Sequence, residues 1–310
     1  MDYVRRAVID VGTNSIKLLV ADVSGHDVRP VHEESRQTRL GHGFYDTHRL
    51  QPESIARTAE AVWEFSEIAR EKNSAVIRVI ATSAARDAVN PLDLTNAIER
   101  ACGLKTEIIT GAREAEWAYL GAATLAELAR RPLLLLDVGG GSTEFILGHG
   151  NQKHFAHSFP LGTIRLMEKF PHADPPTKAE FEACRGWVAD FLLHEVRPQL
   201  EPAFNQEKGE IQLVGTGGTS SILARMEKHS DHFDRDEIER TVLTFTAVAA
   251  YRKKLWRLPL ARRKEIVGLP RQRADVILTG VLIYELVMAE FGFEQLRVST
   301  RGLRFAAVMG

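Results

Sequence analysis

Ala7-Val8-Ile9-Asp10-Val11-Gly12-Thr13-Asn14-Ser15, running on into Ile16-Lys17-Leu18-Leu19-Val20, returns later in the chain in altered form. The second copy is Leu134-Leu135-Leu136-Asp137-Val138-Gly139-Gly140-Gly141-Ser142, continuing into Thr143-Glu144-Phe145-Ile146-Leu147. Asp, Val, Gly and Ser fall at the same offsets in both. Each copy is an apolar run of buried type, a glycine-bearing turn and a second β-prone run, which reads as a β-hairpin rather than a strand entering a helix. A repeat of this kind fixes architecture before any single residue is interpreted.

The flanks of the two hairpins run in parallel. After the first, Val28 to Leu40 reads as extended, a helix starts near Pro52, Val76 to Ala81 is a short strand and Leu92 to Cys102 a helix. Lys105 to Ile109 is another strand and Ala112 to Arg130 another helix. After the second, His154 to Phe159 is extended, Lys178 to Leu200 is a long helix and Ile211 to Val214 a strand. Gly217 to Phe291 reads as helix-rich, Leu296 to Ser299 as a last strand and Gly302 to Val308 as a last helix. Both halves are thus β-β-β-α-β-α-β, an α/β pattern with a mixed sheet. Two such lobes are expected to face one cleft, with Asp10 and Asp137 near each other across it.

The chain has 310 residues, about twice a typical domain, with 44% hydrophobic and 26% charged residues. That composition excludes a disordered or fibrous chain. Forty basic and forty-one acidic residues leave a formal net charge of −1, which argues against a nucleic-acid coat or a membrane-surface protein. The two cysteines, Cys102 and Cys184, are far apart and cannot build a disulfide framework or a zinc cage. Two free thiols suit a reducing compartment. Met1 to Arg6 precedes no apolar run of signal length, and no stretch approaches eighteen apolar residues. A soluble, cytoplasmic protein is expected.

Gly139-Gly140-Gly141-Ser142-Thr143 places three glycines and two hydroxyls at a strand end. Glycine lets backbone amides approach a ligand closely and hydroxyls add donors, which is what phosphate oxygens require. A tight hairpin turn would also use glycine, but not three in a row. Gly215-Thr216-Gly217-Gly218-Thr219 follows a strand and opens a helix, where amides and the helix dipole favour an anion. No Lys follows these glycines, so this is not a P-loop. Asp10, Asp137 and Glu144 lie on or beside the same turns. A carboxylate beside a phosphate is repulsive unless a cation lies between them, and Mg²⁺ takes one or two carboxylates, waters and substrate oxygens. A strand-end Asp can alternatively cap a turn. Glu114, on residue chemistry alone, is an acid in the first turn of a helix. Lys17 and Arg86 follow a turn and a strand, and Arg suits bidentate phosphate recognition. Arg252, Lys253, Lys254, Arg257, Arg262, Arg263, Lys264, Arg271 and Arg273, interrupted by Glu265, form a basic stretch that is either a solvated face or a guide for a polyanion.

Seven segments together resemble one family. They are Asp10 to Ser15, Ala81-Thr82-Ser83-Ala84-Ala85-Arg86-Asp87-Ala88, Gly111 to Ala115, Asp137 to Glu144, Leu161 to Leu166, Gly215 to Thr219 and Arg273-Ala274-Asp275-Val276-Ile277. The set resembles the exopolyphosphatase / guanosine pentaphosphate phosphohydrolase (Ppx/GppA) family, within the actin, heat-shock chaperone ATPase and sugar-kinase superfamily. The resemblance implies two ribonuclease H-like (actin-like ATPase) domains with mixed five-stranded sheets facing an interdomain cleft. One lobe is expected over 1–128, with the C-terminal helix of about 300–310 returning to it, and the other over 129–299. It also implies a Mg²⁺-dependent enzyme that removes terminal phosphate from inorganic polyphosphate or the 5′ terminal phosphate of guanosine pentaphosphate.

Carried over by position, Glu114 matches the catalytic glutamate, and Asp137 and Glu144 match acids associated with metal and water. Asp10 joins them as a metal-side carboxylate, and Glu144 is also placed among the catalytic residues. Thr13, Asn14, Ser15, Lys17, Gly140, Gly141, Ser142, Thr143, Gly217, Gly218 and Thr219 match the phosphate-binding set, Arg86 a phosphate-binding arginine and Arg273 a distal-substrate position. The chain departs from the family pattern in having Arg113 before Glu114 and Phe305-Ala306 after Gly302-Leu303-Arg304. Stopping at Gly310, it looks like the short two-domain form, which favours short polyphosphates. A homodimer is expected by family analogy. Two other readings stand beside this one: an ATP-dependent kinase of the same superfamily, tested by ADP release, and a non-hydrolysing sensor of polyphosphate or guanosine penta- or tetraphosphate.

Overall fold

β1 (Val4–Val11) and β2 (Ser15–Ser24) pair antiparallel around the first glycine turn, and β3 (Asp27–Gln37) continues the meander. In the computed structural model, which describes residues 2–150 and 152–310, the chain divides into two compact units. Met1, part of the amino-terminal stretch read for a leader, lies outside the described residues, as does Asn151.

The first unit comprises Met1–Leu125 and Arg301–Gly310. Its sheet has the order β3-β2-β1-β4-β5, with β4 (Val76–Ala81) and β5 (Thr106–Ile108) parallel to β1. The helices are α1 (Pro52–Glu71), α2 (Ser83–Arg86), α3 (Pro91–Cys102) and α4 (Gly111–Ala123). Parallel strands are buried on both faces, and alternation along β1 shows it. Ala7, Ile9 and Val11 join Val62, Phe65, Leu94 and Ile98 of α1 and α3 in one core, while Val8 packs with Trp117, Leu303 and Phe305 in another. Fully burying an Ile or Leu contributes roughly 1.5–3 kcal/mol, so this central strand is strongly held.

The second unit, Ala126–Thr300, opens with α5 (Ala126–Ala129) and repeats the plan. β6 (Leu133–Val138), β7 (Thr143–His149) and β8 (Gln152–Phe159) form the second meander. α6 (Thr163–Lys169), α7 (Lys178–Phe191), a π-helical turn at Leu192–Val196 and α8 (Arg197–Gln206) lead to β9 (Gln212–Thr216). α9 (Gly217–Glu227), α10 (Arg235–Glu239), β10 (Val242–Thr244), α11 (Phe245–Arg257), α12 (Leu260–Arg263), α13 (Ile277–Phe291) and β11 (Gln295–Val298) complete it. α14 (Leu303–Ala307) belongs to the first unit. The sheet order β10-β11-β9-β6-β7-β8 mirrors that of the first unit with one strand added.

That sixth strand corrects the expectation of two five-stranded sheets. β10 is only three residues, pairs antiparallel with β11 at the edge and runs straight into α11, whose N-cap Thr244 accepts from the Ala247 amide. So short a strand leaves no period-2 signal inside a helical stretch. The single helix expected over 112–130 is broken after Ala123, where the Thr124 hydroxyl donates to the Gly121 carbonyl at 2.6 Å and competes with the ladder. The helix expected to end at Leu200 continues to Gln206, passing through the π turn just before Pro198, which has no amide to extend the regular ladder. α6 had no counterpart in the sequence reading.

Candidate active site

In both units the predicted site residues gather where the parallel strands end. In α/β sheets the carboxyl ends of strands are where ligands bind, because helix N-termini and glycine turns converge there. β1, β4 and β5 end at Val11, Ala81 and Ile108; β6, β9 and β11 end at Val138, Thr216 and Val298.

The two hairpin turns are built alike. The Gly12 amide donates to Ser15 O at 3.1 Å, and the Gly139 amide to Ser142 O at 2.9 Å. A Cβ would stand 2.9 Å from Ser15 O in the first turn and 3.0 Å from Ser142 O in the second, so both turns crowd any residue larger than glycine. Asp10 faces Lys17 across β1 and β2, and Asp137 faces Glu144 across β6 and β7. The duplication therefore places Lys17 and Glu144, of opposite charge, at one position.

In the first unit, Thr13, Asn14 and Ser15 are all buried, and the segment after β3 fastens onto them. The Arg39 amide donates to Asn14 O at 3.0 Å, the Gly41 amide to Thr13 O at 2.8 Å, and Gln37 Nε2 to Asn14 Oδ1 at 3.0 Å. The Thr82 amide donates to Val11 O, so α2 leaves from beside this turn and carries Arg86 with it. α4 begins at the end of β5, capped by the Thr110 hydroxyl, which accepts from the Arg113 amide. Glu114, 8% exposed, lies in its first turn. Arg86 Nη1 donates to Glu114 Oε2 at 2.8 Å and to Ile109 O at 3.3 Å. The structure thus joins two residues that the sequence reading gave separate roles.

In the second unit, the glycine turn leans on α6. The Thr163 amide donates to Gly139 O, those of Ile164 and Arg165 donate to Gly140 O, and Arg165 Nε donates to Gly141 O at 2.9 Å. A trans peptide sends its N–H opposite to its C=O, so the amides of Gly140, Gly141 and Ser142 are directed away from α6. Such a row of amides suits an anion. A Cβ on Gly162 would lie 2.4 Å from Gly140 O, which fixes glycine there. Thr143 is fully buried and donates its hydroxyl to Leu161 O, so it supports the turn.

The Thr216 side chain provides no cap for α9, and Gly217 sits at φ +88°. A Cβ on Gly217 would lie 2.4 Å from Asp137 Oδ1, and one on Gly218 would lie 3.5 Å from Arg273 Nη2. The half-buried Asp137 carboxylate and the Arg273 guanidinium therefore border the same helix start. Thr219 differs: its hydroxyl would meet a Cβ on Gly280 at 2.6 Å, which places that side chain against α13. Glu144 is 1% exposed, and its Oε1 accepts from Ser142 Oγ at 2.8 Å and Ser158 Oγ at 2.6 Å.

Three contributors escaped the sequence reading. Ser158 faces Glu144 from β8, a register only the folded sheet reveals. The Tyr284 hydroxyl reaches Thr216 O at 3.2 Å and Leu136 O at 3.4 Å, tying β6 to β9 beneath Asp137, and its burial raises the phenol well above its ordinary range. Gly41 is the third; a Cβ there would stand 2.3 Å from Thr13 Cγ2. Its Leu40-Gly41 pair matches Leu161-Gly162 in the second unit, a faint repeat that sequence comparison could have found.

The basic stretch is not one surface. Arg252 makes a bidentate pair with Glu285, both contacts at 2.7 Å, Arg262 pairs with Glu265 at 2.8 Å, and Arg263 is 1% exposed and faces Asp174 at 3.4 Å.

A divalent cation fits the donors present. Asp10 and Asp137 are hard oxygen donors at strand ends, and the missing Cβ of Gly217 leaves room for the Asp137 carboxylate. Among the described residues no group of three or more His, Cys, Asp or Glu is arranged to hold a metal. A cation held by one or two carboxylates, waters and phosphate oxygens needs no such cage.

Duplicated sheets of this order, with acids and glycine turns at their strand ends, define an actin-like (ribonuclease H-like) phosphate-handling protein. The chain belongs to the Ppx/GppA phosphatase family, whose model matches residues 19–309. It is 34% identical over 314 residues to Exopolyphosphatase 2 of Mycobacterium tuberculosis, covering 96% of each chain. Exopolyphosphatase 1 of Mycobacterium bovis is 27% identical, with 98% of this chain and 87% of that one covered. Among solved structures, the Aquifex aeolicus PPX-GPPA enzyme matches with TM-score 0.79 at 29% identity over 99% of both chains. An exopolyphosphatase from Cytophaga hutchinsonii matches with TM-score 0.86 at 28% identity, covering 97% of this chain and 96% of that one.

Proposed function

We propose that this chain is an exopolyphosphatase that hydrolyses the terminal phosphoanhydride of inorganic polyphosphate and acts on guanosine pentaphosphate by the same chemistry. The observation that carries the reading is Glu114, buried at a strand-end helix start and fixed by Arg86 at 2.8 Å. Phosphoryl transfer needs positioning and charge stabilisation more than covalent chemistry. The amides of Gly140 to Ser142 and the start of α9 hold phosphoryl oxygens, with Lys17 and the Thr13–Ser15 turn adding donors. Arg273, beside Gly218, serves the substrate further from the scissile bond. Glu114 orients water and takes its proton as the water oxygen attacks phosphorus; the bridging P–O bond breaks and its electron pair leaves with the shortened chain. Arg86 keeps the Glu114 carboxylate aimed.

Asp137 and Asp10 would hold the divalent cation, Mg²⁺ in this reading, and Glu144 acts beside them by fixing the Ser142 and Ser158 hydroxyls. When bound, the cation neutralises phosphate charge. Free thiols at Cys102 and Cys184 favour a cytoplasmic protein. Among the described residues no helix is long and apolar enough to cross a membrane. A homodimer remains part of the proposal and is read by light scattering. The test of function is phosphate release from polyphosphates of graded length and from guanosine pentaphosphate, with Mg²⁺ and with excess chelator. Release that requires Mg²⁺ supports the reading, and its absence from every substrate refutes it.

A further inference from the structure

Arg39 is one of four non-glycine residues among those described with positive φ, at 53°. A side chain with a Cβ strains the backbone in this region, and such strain persists where the surroundings impose it. Here the surroundings are the phosphate turn itself. The Arg39 amide is bonded to Asn14 O, Gly41 to Thr13 O, and the His42 amide closes back onto Arg39 O at 3.1 Å. Thr38 and Leu40, on either side, are 3% and 0% exposed, while Arg39 between them is exposed. The clamp buries its neighbours, ties the Arg39 backbone amide to the Asn14 carbonyl and leaves the Arg39 residue exposed.

The second unit uses the same clamp differently. Leu161-Gly162 takes the place of Leu40-Gly41, Pro160 the place of Arg39, and the arginine nearby, Arg165, donates Nε to Gly141 O from the helix that follows. We infer that Arg39 is a further substrate-binding residue, its guanidinium gripping phosphoryl oxygens of the polyphosphate held at the Thr13–Ser15 turn. The inference rests on the function proposed above. A planar guanidinium presents two parallel N–H donors that match a pair of phosphate oxygens, a fixed fork that an ammonium lacks.

Arg39→Asn separates binding from folding, because Asn tolerates the left-handed backbone. Tripolyphosphate affinity is measured by calorimetry without turnover, together with Tm, kcat and KM. The expected result is an unchanged or higher Tm, affinity weakened about tenfold, and KM raised more than kcat is lowered, with Arg39→Lys recovering part of the loss. Affinity and KM within twofold of the parent overturn the inference, and so does a loss of affinity that tracks a lowered Tm. If the parent protein releases no phosphate from any substrate yet its tripolyphosphate affinity depends on Arg39, the hydrolase reading fails and the Arg39 inference stands.

Discussion

Arg86 Nη1 lies 2.8 Å from Glu114 Oε2, joining α2 to the first turn of α4 with 22% and 11% of the two side chains exposed. The pair ties the helix after β4 to the helix after β5. Replacing Glu114 by Gln removes the proposed proton acceptor while keeping its shape. Turnover is expected to fall about a thousandfold or more while tripolyphosphate still binds within a fewfold of the parent. Single-turnover phosphate release and calorimetry measure the two halves of this statement. Near-normal turnover would remove Glu114 from its role.

Arg86→Met leaves a carboxylate among buried atoms without its cation. The carboxylate then loses the donor that aims it, so kcat is expected to fall at least tenfold in steady-state phosphate release. A rise confined to KM would mean that Arg86 serves substrate alone.

Gly162→Ala forces a methyl group to within 2.4 Å of the Gly140 carbonyl, and backbone cannot step aside as a side-chain tip can. The expected cost is roughly 1–3 kcal/mol in denaturant unfolding, with KM raised because the Gly140–Ser142 amides shift. Unchanged stability would show that the turn is free to move.

Asp137→Asn removes one carboxylate charge from the proposed cation site without changing size. The Mg²⁺ concentration giving half-maximal phosphate release should rise at least tenfold, and chelation should abolish release by the parent. A variant with the parent's Mg²⁺ dependence would exclude Asp137 as a ligand.

Arg252 and Glu285 give a test within the basic stretch. Truncating Arg252 to Ala leaves Glu285 unpaired, and stability should fall by up to about 3 kcal/mol while KM for polyphosphate holds. A raised KM at unchanged stability would return Arg252 to a polyanion-guiding face. The thiols are simpler: apolar burial pushes Cys184 up to about 12. Alkylation of the native protein at pH 8 should therefore modify Cys102 and spare Cys184, as peptide mapping would show.

Much of this molecule is written locally. The repeat at Asp10 and Asp137, the short strands at Val76 and Lys105 and the α1 start at Pro52 come from periodicity and turn chemistry, which act over a few residues. Gly139 to Thr143 announces an anion turn for the same reason. Glu114 is different: its neighbourhood marks only a helix N-terminus, and the family resemblance, not local chemistry, raised it above that. β10 escaped because three residues carry no period, and Ser158 because strand register is a long-range quantity.

The sequence by itself determined that two related β-hairpins carry acids and glycines into paired α/β sheets, because apolar alternation and glycine's permissive backbone are properties of short stretches. Only the folded chain decided that Arg86 meets Glu114, that Glu144 is fastened by the Ser158 hydroxyl as well as that of Ser142, and that the Arg39 backbone is tied to Asn14. Apart from the local Ser142–Glu144 bond, those contacts join residues from 14 to 28 positions apart, and they exist only once strand pairing and helix packing have closed the loops between them.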